Sequence, residues 1–168
     1  MEVQLKHTEQ AIGEIIAEHA DMVLRLCYVH LRNKADAEDA FQEVFMKLYE
    51  KSPTFHDKEH LKAWLITCTT NHCKNKLRSY WHRKRVDIGD VAIPERASDV
   101  NKEEHSLIPY VLALSLKYRL VIYLYYYEGY SLRDIAQMMK ANEATIRTRL
   151  SRGREQLKLT IEHGRNQL

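Results

Sequence analysis

Glycine and proline are scarce in this 168-residue chain, at 5 and 3 residues. Strand-rich folds need many tight turns, so the shortage argues against a sandwich or barrel and towards an all-α chain. Long apolar runs are missing as well. The longest, Leu120 to Tyr127, is far short of the ~20 residues a membrane helix needs, which predicts no membrane insertion. The opening residues, Met1-Glu2-Val3-Gln4-Leu5-Lys6, lack a basic start followed by an apolar stretch, so no secretory signal is expected. Cysteine is limited to Cys27, Cys68 and Cys73, an odd number without framework spacing. That fits reduced thiols and a cytoplasmic location better than a disulfide scaffold. Net charge is only +3, so the distribution of charge carries more information than its sum.

What is present is helical periodicity. Ile12, Ile15, Ile16, Met22, Val23 and Leu26 form one apolar stripe, and Phe41, Val44, Phe45 and Leu48 a second. Leu61, Trp64, Leu65 and Cys68 begin a third, which turns polar and basic after Cys68. Pro53 is expected to close the second helix. The stretch from Val86 to Glu104 mixes charges, a Gly and a Pro without a sustained period. A loop of that length is unusual inside one compact domain, so it predicts a flexible linker over 86–105 between domains at 1–85 and 106–168. The expected fold is therefore all-α, two small helical domains joined by a flexible linker.

The second of these domains reads as a helix-turn-helix. A helix is expected from near Ser106, with Pro109 in its first turn, and a buried helical segment over Tyr118 to Glu128. Glu128-Gly129-Tyr130 breaks it. Ser131-Leu132-Arg133-Asp134 resembles a capping box, followed by apolar Leu132, Ile135, Ala136 and Met139 at helical spacing. Lys140-Ala141-Asn142 is a short turn, with Asn142 a candidate N-cap for a last helix. With Ile146 at zero and about 100° per residue, Leu150 and Leu157 fall within about 40° of it. Thr148 falls at about 200°, Ser151 at about 140°, Arg152 at about 240° and Thr145 at about 260°, flanked by Arg147 and Arg149. Arg can grip guanine with two bonds, and Ser or Thr can bond bases or phosphates. A solvated amphipathic helix is the plainer alternative. Such a face usually mixes signs, whereas Lys140 to Lys158 carries Lys140, Arg147, Arg149, Arg152, Arg154 and Lys158 against only Glu143 and Glu155.

Two further clusters lie in the first domain. Asn71 to Arg85 holds Lys74, Lys76, Arg78, Arg83, Lys84 and Arg85 with no acid, next to Tyr80 and Trp81. Cations attract phosphates and aromatic faces stack on unpaired bases. A basic helix end compensating the helix dipole is the alternative. Asp36, Glu38, Asp39 and Glu43 crowd the first turns of the second helix, where dipole compensation alone would also place acids. There Phe41 and Phe45 are expected to face the core, and Asp39, Gln42 and Glu43 a partner. No complete catalytic constellation is visible. Cys68 and His72 lie one turn apart but lack a second pair for a metal, and Cys68 reads as buried. There is no Gly-rich phosphate loop. His19 and His30 read as packing residues, so no cofactor or metal is expected and the chain reads as a non-enzyme.

In this order, the three signals resemble the extracytoplasmic-function branch of the sigma-70 family, the sigma subunits of bacterial RNA polymerase. The resemblance runs from about Ile12 to Leu157. It is carried by Asp36-Ala-Glu-Asp-Ala-Phe-Gln-Glu-Val-Phe, Ala63-Trp64-Leu65-Ile66, Thr70-Asn71-His72-Cys73-Lys74-Asn75-Lys76-Leu77-Arg78, Tyr127-Glu128-Gly129-Tyr130-Ser131, Asp134-Ile135-Ala136 and Thr145-Ile146-Arg147-Thr148-Arg149-Leu150-Ser151-Arg152-Gly153-Arg154. The resemblance implies docking of Asp36, Asp39, Gln42 and Glu43 on the clamp helices of the largest subunit of core RNA polymerase. It also implies reading of the promoter −10 element by Asn71, Lys74, Asn75, Arg78, Tyr80 and Trp81, with a flipped base near Asn71. It implies reading of the −35 element by Thr145, Arg147, Thr148, Arg149, Ser151 and Arg152. The resemblance leaves open whether an anti-sigma factor is a further partner; a flexible tether would let one hold such a chain closed. A stand-alone helix-turn-helix regulator is the competing reading, and it leaves the acidic and Tyr80-Trp81 clusters unexplained. Three positions depart from the family pattern: Ser115 where Pro is usual, Asn75 where Asp is common, and Lys140 where Gly is frequent. A left-handed backbone at Lys140 would cost roughly 1–2 kcal/mol.

Overall fold

The computed structural model describes residues 9–83 and 107–166, and every regular element among them is helical. The linker expected over 86–105 lies outside the described residues. Internal contacts divide the chain into two compact units, Met1–Asp90 and Val91–Leu168.

The first unit holds α1 (Glu9–Leu31), α2 (Lys34–Lys51) and α3 (Lys58–Arg83), each packed against the other two. Asn33 caps α2, its side-chain oxygen accepting from the Asp36 N–H at 3.0 Å. Such a cap stabilises a helix by about 1 kcal/mol. Helix α2 ends at Ser52 in a left-handed conformation, one residue before Pro53. Val23, Leu26, Leu48, Leu65 and Ile66 fill the core, each fully buried. Burial of one such side chain contributes roughly 1.5–3 kcal/mol. The structure corrects the expected stripes at four points. Ile16, Phe41 and Trp64 are half-buried, and Cys68, expected inside, is also half-buried. The fully covered thiols are Cys27 on α1 and Cys73 on α3. Cys73 faces Cys27 across the helix pair, and that contact together with burial pushes its thiol pKa far up. His19 and His30 are buried, and desolvation lowers the His19 pKa.

The second unit holds α4 (Ile108–Leu112), α5 (Leu116–Ile122), a π-helical turn (Tyr123–Tyr127), α6 (Leu132–Met138) and α7 (Glu143–Asn166). Helix α7 is the spine: α4, α5 and α6 all pack on it. Pro109 sits in the first turn of α4. Ser115, with φ −61° and ψ 150°, is the N-cap of α5. The expected buried helix over Tyr118 to Glu128 is corrected here. The α-helix stops at Ile122, widens into the π turn, and leaves Tyr126 and Tyr127 exposed at 52% and 39%. Tyrosine counts as apolar in a periodicity argument, but its phenol can stay at the surface when the backbone turns it outward. One residue invisible to that argument anchors the turn between α4 and α5. Arg119 is buried and donates from Nη1 to the Leu114 carbonyl at 2.9 Å and the Leu112 carbonyl at 3.4 Å.

Candidate nucleic-acid interface

Helices α6 and α7 are built by local chemistry. Ser131 caps α6: its Oγ accepts from the Asp134 N–H at 3.1 Å and donates to Asp134 Oδ2 at 2.8 Å. After Met138 the chain passes through Lys140 at φ 51°. The Lys140 N–H donates to the Gln137 carbonyl and the Ala141 N–H to the Ala136 carbonyl, at 3.3 and 2.9 Å. These two bonds are the Schellman pattern, whose left-handed position favours Gly. Asn142 then caps α7, accepting from the Ala144 N–H at 2.9 Å. Two helices, joined by a four-residue turn, result.

The seating of α7 separates its two faces. Ile146 and Leu150 are buried against the unit, and Leu157 is half-buried. Gly153 completes this inner face, and a Cβ there would lie 3.1 Å from Ile122 Cγ1 and 3.4 Å from Tyr118 Cβ. Thr145, Arg147, Thr148, Ser151 and Arg152 are exposed on the other side, and Arg149 is half-buried. Arg147 makes an i, i+4 pair with Glu143 at 3.3 Å, both exposed, and Thr148 Oγ1 donates back to the Ala144 carbonyl at 3.0 Å. Surface pairs of this type are weak and exchange readily for a phosphate. The outer face therefore offers hydroxyls and guanidinium groups that need little to release them.

On α3, Asn71, Asn75 and Arg78 are exposed, and Lys74 is half-buried. At about 100° per residue these four fall within about 60° of Asn71, away from the buried Leu65, Thr69 and Cys73. Tyr80 is exposed but turns about 180° from Asn71, so it does not share that face. Trp81 lies in the last turn of the helix, and its side chain lies outside the described residues. The segment before α3 adds an aromatic group. Phe55 is buried and meets Trp64 and His60 edge to face at 5.8 and 5.3 Å, and His56 stacks on His60 at 5.2 Å.

The acidic face of α2 is not bare. Asp36, Asp39, Gln42 and Glu43 are all exposed. Asp39, however, is paired with Lys76 of α3, and Glu43 meets the Nε2 of His72. Lys47 Nζ reaches the other His72 ring nitrogen at 3.2 Å. The hydrogen bond and charge of Lys76 hold the Asp39 carboxyl below its usual range. For Lys76, partial burial acts downward, but the Asp39 bond and the charges of Glu43, Asp39 and Asp36 outweigh it and raise its pKa. So the acids expected to face only a partner also tie α2 to the basic segment of α3. Periodicity could not reveal this, because Asp39 and Lys76 are 37 residues apart. It could have flagged Met46 and Tyr49, which fall out of phase with the core stripe and are exposed at 61% and 52% beside Gln42.

Comparison with known proteins agrees with this architecture. Residues 15–83 match the family model of sigma-70 region 2, and residues 109–157 that of sigma-70 region 4. The chain is 29% identical to the ECF RNA polymerase sigma factor SigW of Bacillus subtilis, over 91% of this chain and 90% of that protein. It is 30% identical to the ECF RNA polymerase sigma factor SigE of Mycolicibacterium smegmatis over 86% of this chain, and spans 59% of that longer relative. Among solved structures it is similar to the sigma factor RpoE of Bartonella quintana, crystallised with the anti-sigma factor NepR. The TM-score is 0.73 at 25% identity, covering 89% of this chain and 96% of that one. No described helix is long and apolar enough to cross a membrane. Since the two family models, in order, take in well over half of the chain, and the fold they describe is the one its helices form, the protein belongs to the extracytoplasmic-function branch of the sigma-70 family of RNA polymerase sigma factors.

Proposed function

We propose that this chain binds core RNA polymerase and directs it to promoters, with residues 1–85 reading the −10 element and residues 106–168 the −35 element across a linker at 86–105. The observation that carries the reading is the seating of α7. Its apolar side is locked inward by Ile146, Leu150 and Gly153, which leaves Thr148, Ser151 and Arg152 on the side a major groove would meet. Arg147 and Arg152 then supply guanine or phosphate contacts, Thr145, Thr148 and Ser151 base or phosphate contacts, and Arg149 a flanking cation.

In the first unit, Asn71, Lys74, Asn75 and Arg78 engage the displaced strand as one stripe of α3. Asn71 lines the pocket for an extruded base, whose unstacking costs a few kcal/mol. Tyr80, on the opposite side of α3, is not part of this stripe. Asp36, Asp39, Gln42 and Glu43 dock on the clamp helices of the polymerase, and the exposed Met46 and Tyr49 give that acidic patch an apolar border. The chain makes and breaks no covalent bond; the polymerase does. It works in the cytoplasm, where polymerase and promoter are. An anti-sigma factor is a further partner, by analogy with the RpoE–NepR complex.

The test is initiation by core polymerase on a randomised promoter library, with and without the purified chain. Start sites that share two spaced elements and appear only with the chain are expected. Arg152→Ala is expected to relax selection at the upstream element, by roughly 1–3 kcal/mol of discrimination, while core binding persists. Glu43→Lys is expected to do the reverse. Tight operator binding by the chain alone, with no effect on initiation, would instead mark a stand-alone regulator.

A further inference from the structure

One cation-and-aromatic cluster of the second unit has no role in the reading above. Tyr125 and Tyr126 belong to the π-helical turn, and Arg154 to α7, 28 residues further along. Arg154 Nε donates to the Tyr126 hydroxyl at 2.5 Å. Its guanidinium carbon lies 5.5 Å from the Tyr126 ring centroid and 5.9 Å from that of Tyr125. The two rings meet edge to face at 5.0 Å. Tyr126 and Arg154 are nonetheless exposed. An exposed arginine ordinarily samples many rotamers; this one is held in place before any ligand arrives. One of its five N–H donors is used on Tyr126. The four Nη hydrogens have no partner among the described residues, and their planar fork matches a phosphate.

The position along α7 selects the kind of phosphate. Arg154 follows Arg147 by seven residues, about 10 Å along the axis and about 20° around it. Ser151 lies between them and Lys158 one turn beyond, so Arg147, Ser151, Arg154 and Lys158 form a row along one border of the base-reading face, with Glu143 paired to Arg147 at its start. A helix in the major groove is bordered by a wall of phosphates, and most protein–DNA hydrogen bonds go to the backbone. We infer that Arg154, held by the phenol of Tyr126 and the ring of Tyr125, binds a backbone phosphate of the duplex that α7 reads, with Tyr126 its positioning residue. The inference rests on the −35 reading proposed above.

The experiment uses the full chain reconstituted with core polymerase on a promoter recovered from the library. Binding is measured in the cold, before strand opening, as a function of salt. Each neutralised phosphate contributes about −0.9 to the slope of log affinity against log salt. Arg154→Gln is expected to flatten the slope by about 0.9 and to weaken binding equally on promoters with different upstream sequences. Arg154→Lys restores the slope, because the charge returns. Tyr126→Phe keeps the slope and weakens binding a few-fold, since the charge stays but its placement is lost. Thermal melting of each variant accompanies the series. An Arg154→Gln chain with the wild-type slope, whether or not it melts earlier, overturns the inference and leaves the −35 reading standing. A wild-type chain that recovers no promoter from the library rejects that reading itself, and the inference with it.

Discussion

Lys140→Gly is expected to stabilise the second unit. Lys140 holds φ 51° at the end of α6, where its Cβ crowds the following carbonyl. For a non-Gly residue this conformation costs roughly 1–2 kcal/mol. Glycine removes that cost but widens the unfolded ensemble, which takes back about 0.4–1 kcal/mol. The two backbone bonds that end the helix, Lys140 to Gln137 and Ala141 to Ala136, need no side chain, and Lys140 is exposed. The net gain is therefore about 0.5–1 kcal/mol, or about 2–8 °C in the melting midpoint of a domain this size. Circular dichroism follows both units. Tryptophan fluorescence follows only the first, because Trp64 and Trp81 both precede residue 90. The second transition should rise while the fluorescence transition stays put. A lowered midpoint would refute the strain argument, and a rise in both transitions would show that the units do not melt independently.

Three further outcomes follow from the packing. Gly153→Leu is expected to destabilise the second unit by about 2–3 kcal/mol in a denaturant melt, since its Cβ already falls 3.1 Å from the buried Ile122. In the first unit, burial keeps the folded-state pKa of His19 below the ordinary imidazole value of about 6.5. The unfolded chain therefore takes up a proton first as pH falls through about 6.5, and this residue's contribution, full above that value, is progressively lost. His19→Gln should flatten the pH dependence of the urea midpoint between about pH 7.5 and 5; an unchanged profile would count against a buried neutral imidazole. Finally, a maleimide should label Cys68 first and slowly in the native protein, with Cys27 and Cys73 reacting only on unfolding. Burial raises the Cys68 pKa but leaves it half-exposed, whereas the other two thiols are covered. Mass spectrometry of partially labelled protein reads the order directly.

Ion pairs between α2 and α3 add a constraint on how the first unit works. Asp39 and Glu43 are proposed to meet polymerase, yet they are already engaged by Lys76 and His72. Both partners come from the helix whose outer stripe is proposed to meet the −10 strand. Substituting Asp39 thus removes a docking carboxylate and an interhelical tie together. Its effect on polymerase binding is read cleanly only beside Lys76→Gln, which removes the tie alone.

Local signals were legible in the sequence wherever one stretch of chain contains both halves of an interaction. The caps at Ser131 and Asn142, the inward phase of Ile146 and Leu150, and the outward phase of Thr148, Ser151 and Arg152 all depend on residues within a few turns of one another. A helix repeats every 3.6 residues, so such spacing fixes a face before any packing is known. Tertiary structure alone decided which distant faces meet: Tyr126 against Arg154, Asp39 against Lys76, Arg119 folded under the carbonyls of Leu112 and Leu114, and Cys73 against Cys27. Periodicity says that a side chain points inward or outward. It does not say what stands opposite, because that depends on how helices far apart in the chain cross.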